Sequence, residues 1–324
     1  MSQHDVAVIG GGAAGLSAAL VLSRARRTVV VLDAGSPRNA PAAHMHGYLS
    51  RDGLPPSELL ALGTREVERY GGEIRHGTAI ALEPDGERGF TVSMADGQQP
   101  SVRQVLVTTG LRDELPDIRG LRDRWGRDVL HCPYCHGHEV RDRQLGVIGG
   151  TPGSVRYAQI VRQWTDDLVY FTPPDTLTSV ERTELLARAI GVVEGAIDQV
   201  VVDEEDQLRG VLLADGCVVP REALFVPPRF VPNHDLLTDL GCRTNDHGWV
   251  ITDPVGRTSV TGIWAAGNVV DPRAQVITAA GAGSAAAIAL NGDLVDDDVR
   301  RAAHEFELGL PLDTNTHTRP KETP

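Results

Sequence analysis

The stretch H-C-P-Y-C-H-G-H, residues 131–138, places two cysteines three positions apart between histidines. If Cys132 begins a helix, its sulfur and that of Cys135 fall within one turn, close enough to form a small-loop disulfide. Pro133 suits the first helical position, because its fixed φ favours the helix and its missing N–H is not needed there. The open N-terminus of such a helix also stabilises a thiolate. The spacing therefore predicts a redox-active cysteine pair.

Thiol–disulfide exchange is the chemistry that this set of residues supports. The cysteines supply a nucleophile and a resolving partner, and His131 and His136 can carry protons at neutral pH. The alternatives are a zinc knuckle or a pair of buried thiols. Zinc usually takes a second close pair of ligands, whereas Cys217 and Cys242 stand far apart, so we predict no metal site. We interpret Cys217 and Cys242 as packing residues.

Length and composition favour a two-domain α/β protein. A chain of 324 residues exceeds one ordinary core. The 35 glycines, with 41% hydrophobic and only 4% aromatic residues, indicate many tight strand-to-helix turns rather than a β-sandwich. The net charge of −13 argues against nucleic acid or an anionic membrane as a partner, although a soluble acidic surface explains it equally well.

Cysteine content and the start of the chain favour the cytoplasm. Four cysteines do not make a disulfide framework at this length, and a redox pair fits a reducing compartment better. The first predicted strand begins at Asp5, with no targeting segment before it. The longest weakly polar stretch, 276–290, is interrupted by glycines and is too short to cross a bilayer. We therefore expect a cytoplasmic protein without a membrane partner.

A glycine fingerprint for dinucleotide binding opens the chain. The strand Asp5–Ile9 is followed by Gly10, Gly12 and Gly15 in the spacing G-x-G-x-x-G, and then by an alanine-rich helix pattern. The first glycine makes the turn, the second lets a pyrophosphate approach the backbone, and the third lets helix and strand pack closely. A second strand ends at Asp33, which is expected to hold a ribose hydroxyl. The fingerprint therefore predicts a dinucleotide on the N-terminus of the first helix.

The middle of the chain repeats this opening in a degraded form. A long loop (35–53), a helix (57–70) and further strands lead to a charged segment, 111–125, which we interpret as the crossing into a second domain. The strand 145–148 and G-G-T-P-G-S then echo the first fingerprint, which predicts two dinucleotide-type folds in one chain. The other predicted strands are 73–82, 90–94, 101–108, 168–171, 192–202, 210–213, 217–220 and 223–226.

The second fingerprint is damaged at the positions that bind a nucleotide. Thr151 stands in the second glycine slot and Ser154 in the third. After the following strand, where NADPH-specific folds place arginines, the chain has Thr172, Pro173 and Pro174. We therefore expect this domain to bind NADPH poorly.

The order of the motifs resembles that of the low-molecular-weight thioredoxin reductases. A glycine fingerprint is followed by T-T-G (108–110), the C-x-x-C pair, a second nucleotide fold, and then A-A-G-N (265–268) and A-Q-V (274–276). The resemblance covers nearly the whole chain. It implies an α/β fold of two Rossmann-like, three-layer nucleotide-binding domains, the second inserted in the first, and a homodimer.

The same resemblance implies FAD as the cofactor and assigns residues to it. It divides the chain into an FAD-binding domain (1–115 and 245–311) and an inserted domain that carries the cysteine pair (116–244), and the polar tail (312–324) is expected to be flexible. A small-residue helix that starts at A-Q-V could point its free N–H groups at the electron-rich ring. The residues expected to contact FAD are Gly10, Gly12, Gly15, Asp33, Arg38, Asn39, His46, Thr109, Gly110, Gly267, Asn268, Gln275 and Val276.

Three departures separate the chain from the NADPH–thioredoxin enzymes. His136 replaces the acid that usually follows the second cysteine, Asn268 replaces the usual aspartate of the last flavin motif, and the second nucleotide loop has lost its glycines. With these features the chain resembles the thioredoxin-reductase-like dithiol oxidases that close disulfides in natural products such as gliotoxin, holomycin and romidepsin. Those enzymes pass electrons to O2 and need no NADPH.

This resemblance implies the roles of the redox residues. A small-molecule dithiol attacks Cys132, the outer sulfur, while Cys135 faces the flavin and passes two electrons to FAD, and O2 is reduced to H2O2. His136 or His131 takes the substrate protons. Two alternatives stay open: an NADPH-dependent thioredoxin-disulfide reductase with thioredoxin as its partner, and a non-enzymatic flavin redox sensor that signals through its cysteine pair.

Overall fold

The computed structural model describes residues 4–86, 89–308 and 310, so the predicted flexible tail, 312–324, lies outside the described residues. The strands are β1 (His4–Ile9), β2 (Val29–Asp33), β3 (Glu73–His76), β4 (Ala79–Pro84), β5 (Phe90–Met94), β6 (Ser101–Val107), β7 (Leu111–Glu114), β8 (Val129–Leu130), β9 (Leu145–Ile148), β10 (Leu168–Thr172), β11 (Gly191–Glu194), β12 (Ile197–Val202), β13 (Leu208–Leu213), β14 (Val218–Pro220), β15 (Ala223–Phe225), β16 (Arg229–Pro232) and β17 (Ile263–Ala265). The α-helices are α1 (Ala13–Arg24), α2 (Pro56–Arg69), α3 (Pro133–His136), α4 (Ser154–Val161), α5 (Ser179–Ala187), α6 (Asp235–Asp239) and α7 (Val276–Glu307).

The first domain is built on a sheet in the strand order β3-β2-β1-β6-β5-β4, with β17 paired beside β6. β1, β2, β3, β6 and β17 run parallel, whereas β4 and β5 form an antiparallel pair. The valines of β1 and β2 are buried on both faces of the sheet, because apolar layers cover both sides. The predicted strand 73–82 is two strands in the structure, since Gly77, with a φ of 152°, turns the chain between β3 and β4.

The helices α1 and α7 cover one face of this sheet and approach each other very closely. At their crossing, a Cβ added to Gly283 would collide with the carbonyl oxygen of Ala14, so glycine is what permits the approach. Buried alanines from both helices fill the rest of the contact. Because α7 is fixed against α1 in this way, its N-terminus is held beside the glycine loop that precedes α1.

The inserted domain is built on a second parallel sheet, in the order β11-β10-β9-β15-β8. One face of this sheet packs on α4 and α5, and the other packs on the antiparallel strands β12, β13 and β14. The unit β9-α4-β10 repeats the unit β1-α1-β2, so the predicted fold of two Rossmann-like domains, the second inserted in the first, is confirmed. The predicted strand 192–202 divides into β11 and β12.

The domains are joined by two strands, β7 and β16, which pair antiparallel to each other. The chain enters the inserted domain after β7 and leaves it along β16. Leu237 and Cys242, which follow β16, are buried in the core of the first domain. These contacts join segments of the first domain that are distant in sequence. The domain boundaries at residues 115 and 244 stay predictions.

The two cysteines outside the redox pair differ in their environments. Cys242 is buried and lies 3.5 Å from the hydroxyl of Thr258, so its predicted packing role is confirmed. Cys217 is exposed, and the packing prediction was wrong for it. It follows a tight turn at the edge of the inserted domain, where its N–H donates to the side chain of Asp215, and residues in such turns face solvent whatever their polarity.

Replacing Gly283 with alanine should destabilise the fold, because the added methyl group meets the backbone of α1. Overpacking of this kind costs about 1–3 kcal/mol, and each kcal/mol lowers the melting temperature of a domain of this size by roughly 2–4 °C. Gly281, two positions earlier on α7, is the control, because nothing lies within 4 Å of a Cβ added there. Thermal unfolding should show a lower melting temperature for Gly283→Ala and an equal or higher one for Gly281→Ala. An equal fall in melting temperature in both variants would contradict the close contact between α1 and α7.

Candidate active site

A cavity of about 1860 Å³ lies between the two domains. Its wall contains the glycine loop after β1, the start of α7, the cysteine helix α3 and the start of α4. Ligand pockets usually measure roughly 300–1,000 Å³, so this cavity has room for more than one small molecule. The residues predicted for catalysis, Cys132, Cys135, His131 and His136, all lie on its wall.

The loop between β1 and α1 forms an open cradle at the helix N-terminus. Gly10 takes a φ of 107°, and the hydroxyl of Thr108 donates to the carbonyl oxygens of Ile9 and Gly10 at 3.0 and 2.8 Å. A Cβ on Gly15 would collide with the carbonyl oxygen of Gly10, so that glycine packs the helix against the loop beneath the cavity. At Gly12, by contrast, no atom of the described residues lies within 4 Å of an added Cβ. The space beside Gly12 is therefore open to a ligand.

Asp33, at the end of β2, completes this cradle. Its Oδ1 accepts a hydrogen bond of 2.9 Å from the N–H of Gly11, which orients the carboxylate toward the loop. The helix α1 has no side-chain N-cap, so N–H groups of its first turn are free to bind an anion. A pyrophosphate fits the space beside Gly12, and a ribose hydroxyl fits the carboxylate of Asp33. These residues therefore suit FAD.

Arg38 connects the loop after β2 to the last flavin motif. Its Nε and Nη2 donate to the two carboxylate oxygens of Asp113 at 2.9 and 2.7 Å, and its Nη1 lies 3.4 Å from Oδ1 of Asn268. The amide of Asn268 donates in turn to the carbonyl oxygens of Asp271 and Ala274, which closes the turn that leads to α7. Sequence reasoning missed Asp113, because it lies in the charged segment that was interpreted as a domain crossing.

The other residues predicted to contact FAD divide into two groups. Gly267, with a φ of 78°, packs against Ala14 beneath the cavity. His46 also lies off the cavity wall, with Nδ1 3.3 Å from Asp52 and Nε2 3.5 Å from Glu139, so it links the long loop to the segment after α3. Its contact with FAD stays a prediction. The remaining residues of the set line the cavity: Asn39, Thr109, Gly110, Gln275 and Val276.

The cysteine pair lies at the start of α3, in the position that its spacing predicts. Cys132 is the N-cap residue and Pro133 is the first residue of the helix. Cys132 and Cys135 form a disulfide, with their Cα atoms 5.2 Å apart. The side-chain amide of Gln275, the N-cap residue of α7, donates to Sγ of Cys135 over 3.9 Å. Cys135 is therefore the sulfur that contacts the first domain.

The two candidate bases are neutral at physiological pH. The ring of His131 stacks on Tyr157, with centroids 6.1 Å apart, and meets the edge of Phe230 at 5.2 Å. Burial, assisted by the positive charge of Arg38, lowers the pKa of His131 to about 4. Burial also lowers the pKa of His136. Both imidazoles are therefore unprotonated at pH 7, although a pKa of about 4 makes His131 a weak base. Nδ1 of His131 has no hydrogen-bond partner among the described residues.

The second nucleotide loop, between β9 and α4, is filled by a side chain of its own domain. Tyr170, only 1% exposed, lies under the loop, and its hydroxyl accepts a 3.2 Å hydrogen bond from the N–H of Gly150. The same hydroxyl lies 2.7 Å from Oγ of Ser154. Pro173, which follows β10, packs against Gly150. Sequence reasoning identified Ser154 as a damaged position but missed Tyr170, because an aromatic residue in a buried strand is unremarkable in sequence.

Neither a metal centre nor a membrane span occurs among the described residues. In those parts of the chain, no group of three or more His, Cys, Asp or Glu side chains is arranged to hold a metal ion. No helix there is long and apolar enough to cross a bilayer.

An open dinucleotide cradle and a redox-active disulfide on one cavity define a flavin-dependent disulfide oxidoreductase. Residues 4–284 match the pyridine nucleotide-disulphide oxidoreductase family, and the chain belongs to that family. It is an FAD-binding oxidoreductase of the thioredoxin reductase type.

Similarity to known proteins extends along nearly the whole chain. A thioredoxin reductase named sirT, from Leptosphaeria maculans, is 31% identical over 92% of this chain and 96% of its own. The crystal structure of HlmI superposes with a TM-score of 0.90 at 55% identity, and the match covers 93% of this chain and 96% of that one. A putative thioredoxin reductase TrxB from Bacillus anthracis superposes with a TM-score of 0.87 at 32% identity, over 91% of this chain and 99% of its own. The resemblance to thioredoxin-reductase-like enzymes that the motifs indicate is confirmed.

Gly12→Ala should weaken FAD binding without damaging the fold. The backbone of Gly12, with a φ of −76°, accepts alanine without strain, and the added methyl group would occupy the space left for the pyrophosphate. We expect FAD affinity to fall by roughly tenfold or more, the equivalent of about 1.4 kcal/mol, while the melting temperature of the FAD-free protein stays unchanged. Fluorescence titration of FAD into the FAD-free variant measures this, with Gly281→Ala as the control outside the cavity. Wild-type affinity in Gly12→Ala would contradict the assigned cradle.

Proposed function

We propose that this enzyme is a dithiol oxidase, which closes a disulfide in a small-molecule dithiol and transfers two electrons through its cysteine pair and FAD to O2, giving H2O2. One observation carries the proposal: the flavin cradle and the disulfide share a cavity large enough for a second small molecule, whereas Tyr170 fills the loop that would receive a nicotinamide nucleotide. The arrangement thus favours a dithiol over NADPH as the source of electrons.

The exchange begins at the outer sulfur. One substrate thiolate attacks Sγ of Cys132, forms a mixed disulfide with it and releases Cys135 as a thiolate. The second substrate thiolate then attacks the substrate sulfur of the mixed disulfide, so that the product disulfide closes and Cys132 leaves as a thiolate. The substrate loses two electrons and two protons, and the cysteine pair gains the two electrons.

Two features of the chain assist this exchange. His136 or His131 accepts the substrate protons, since burial lowers the pKa of each and leaves both unprotonated at pH 7; with a pKa of about 4, His131 is a weak base. Gln275 donates its side-chain N–H to Cys135, which stabilises the thiolate released in the first step. The position of Cys135 against Gln275 supports its role as the sulfur that passes electrons onward.

FAD, when bound, supplies a two-electron acceptor that takes the electrons of the reduced cysteine pair and delivers them to O2. The chain supplies its position. Gly12 leaves space for the pyrophosphate, and Asp33 offers a carboxylate to the ribose. Arg38 fixes Asn268, and Asn268 in turn closes the turn that places Gln275 beside the cavity.

An NADPH-dependent thioredoxin reductase is the second candidate, because relatives of this chain carry that name and the second nucleotide-type fold persists. The filled loop at Tyr170 and the prolines at 173 and 174 weigh against it. A flavin redox sensor is the third candidate, and it differs from both in turning over no small dithiol.

Cys135→Ser should abolish peroxide release while FAD stays bound. Without the second sulfur no disulfide forms at Cys132, so the first exchange step has no leaving group, and we expect the rate of dithiol-dependent H2O2 formation to fall by roughly 100-fold or more. The measurement is peroxide release after mixing the yellow enzyme with a panel of small dithiols. Cys217→Ser, an exposed cysteine outside the cavity, is the matched control and should keep wild-type rates. Full activity in Cys135→Ser would show that the electron route is wrong.

We also propose that the chain forms a homodimer through α7. Ile288, Val295 and Val299 stand on this helix with 64, 45 and 61% of their surface exposed. Their spacing of seven and four residues places them on one face of the helix. An exposed apolar stripe of this kind is typical of a surface that another protein covers, and a second copy of the chain agrees with the assembly that the family resemblance implies.

The double variant Ile288→Glu, Val295→Glu should be a monomer. Both side chains are exposed in the single chain, so charges there leave the fold intact but cannot be buried in an interface without a large desolvation cost. Size-exclusion chromatography with light scattering should give the mass of two chains for the wild type and of one chain for the variant. Val180→Glu, at an exposed valine on α5 of the inserted domain, is the control. A monomeric wild type, or a variant that stays dimeric, would contradict the proposed interface.

A further inference from the structure

One wall of the cavity carries a cation that no part of the described chain neutralises. Arg156, Tyr157 and Ile160 line the cavity from α4, on the side of the inserted domain. Tyr157 is tied to the cysteine segment, since its hydroxyl donates to the carbonyl oxygen of His131. Arg156 precedes it directly in the helix, and both side chains line the same cavity as the disulfide.

Two arginines close to Arg156 in the inserted domain have partners, whereas Arg156 has none among the described residues. Arg162, one and a half turns along the chain, forms an ion pair with Asp166, and Arg188 donates to the carbonyl oxygen of Gln159. In the part of the chain that the structure describes, Arg156 has neither an ion pair nor a side-chain hydrogen bond. Arg273, in the loop before α7, also lines the cavity and likewise has no ion pair or side-chain hydrogen bond among the described residues. The cavity therefore carries one such cation on each domain.

The acidic side chains that line the cavity either bind other groups or form no ion pair with Arg156. Asp113 is bound to Arg38, and Asp33 accepts from the glycine loop. Asp235, at the start of α6, also lines the cavity and makes no ion pair with Arg156. A pyrophosphate has its own anion site at the first turn of α1, on the other domain. The cation on α4 is therefore free to bind an anionic group of a molecule that enters the cavity.

We propose that Arg156 binds a carboxylate of the dithiol substrate, so that the enzyme favours anionic dithiols over neutral ones. This inference rests on the proposed dithiol oxidase activity and defines the substrate class of the same site. Guanidinium groups bind carboxylates in a planar, two-point geometry. The rings of Tyr157 and Phe230 and the side chain of Ile160 supply apolar surface nearby for the body of the substrate.

A pair of dithiols that differ in one group tests the inference. Dihydrolipoate carries a carboxylate where dihydrolipoamide carries a neutral amide. We expect kcat/KM for peroxide release to be about fivefold higher for dihydrolipoate, the upper end of the range for partly exposed ion pairs. Arg156→Gln should make the two substrates equal, and Arg156→Lys should keep part of the preference. Because each ratio is taken within one enzyme, differences in folding or FAD content cancel.

The matched control is Arg65→Gln on α2, which makes the same change of net charge outside the cavity and should leave the preference intact. The preference should also shrink at high salt, because mobile ions screen an exposed pair. Equal kcat/KM for the two dithiols in the wild type, or an unchanged preference in Arg156→Gln, would overturn the inference and leave the oxidase proposal standing. Loss of NADPH-driven flavin reduction in Arg156→Gln would assign the cation to a nucleotide phosphate and would also overturn it.

Binding of the oxidised products provides a readout that does not depend on turnover. Calorimetry on the FAD-loaded enzyme should show lipoate binding about fivefold more tightly than lipoamide, with the difference lost in Arg156→Gln. If lipoate keeps this advantage while neither dithiol releases peroxide, the anion site stands and the oxidase proposal fails. Equal binding of the two compounds, or no binding of either, counts against the anion site.

Discussion

The contact between Gln275 and Cys135 brings the two halves of the active site together, and the rest of the structure serves to hold it. Gln275 stands at the N-cap of α7, and the hydrogen bonds of Asn268 close the turn just before it. The helix itself is fixed because Gly283 packs directly against the backbone carbonyl of Ala14 on α1. Cys135 belongs to the inserted domain and Gln275 to the first, so this hydrogen bond joins the disulfide to the domain that carries the glycine loop.

The two nucleotide-type folds of the chain have the same topology and different loops. In the first, the space beside Gly12 is open, and the carboxylate of Asp33 lies next to it at the end of β2. In the second, the hydroxyl of Tyr170 already engages Gly150 and Ser154, so N–H and hydroxyl groups that would meet a pyrophosphate are satisfied within the protein. A strand and helix arrangement is therefore not enough to identify a nucleotide site, because the loop decides what can bind.

The sequence predicts those parts of the site that depend on neighbouring residues. Helix capping at Cys132, the turn at Gly10 and the position of Asp33 all follow from local backbone chemistry, and the structure agrees with each. Residues that act across long stretches of chain were missed. Asp113 meets Arg38 from 75 positions away, and Tyr170 reaches a loop on the preceding strand, so neither leaves a local pattern.

The proposed mechanism requires that electrons enter this enzyme from a dithiol and not from a pyridine nucleotide. Anaerobic stopped-flow reduction of the bound FAD tests it most directly, because oxygen is absent and the colour of the flavin reports each donor separately. We expect a small dithiol to bleach the flavin at a rate that supports turnover and NADPH to leave it yellow over the same period. Rapid bleaching by micromolar NADPH, or no bleaching by any dithiol, would contradict the proposed mechanism.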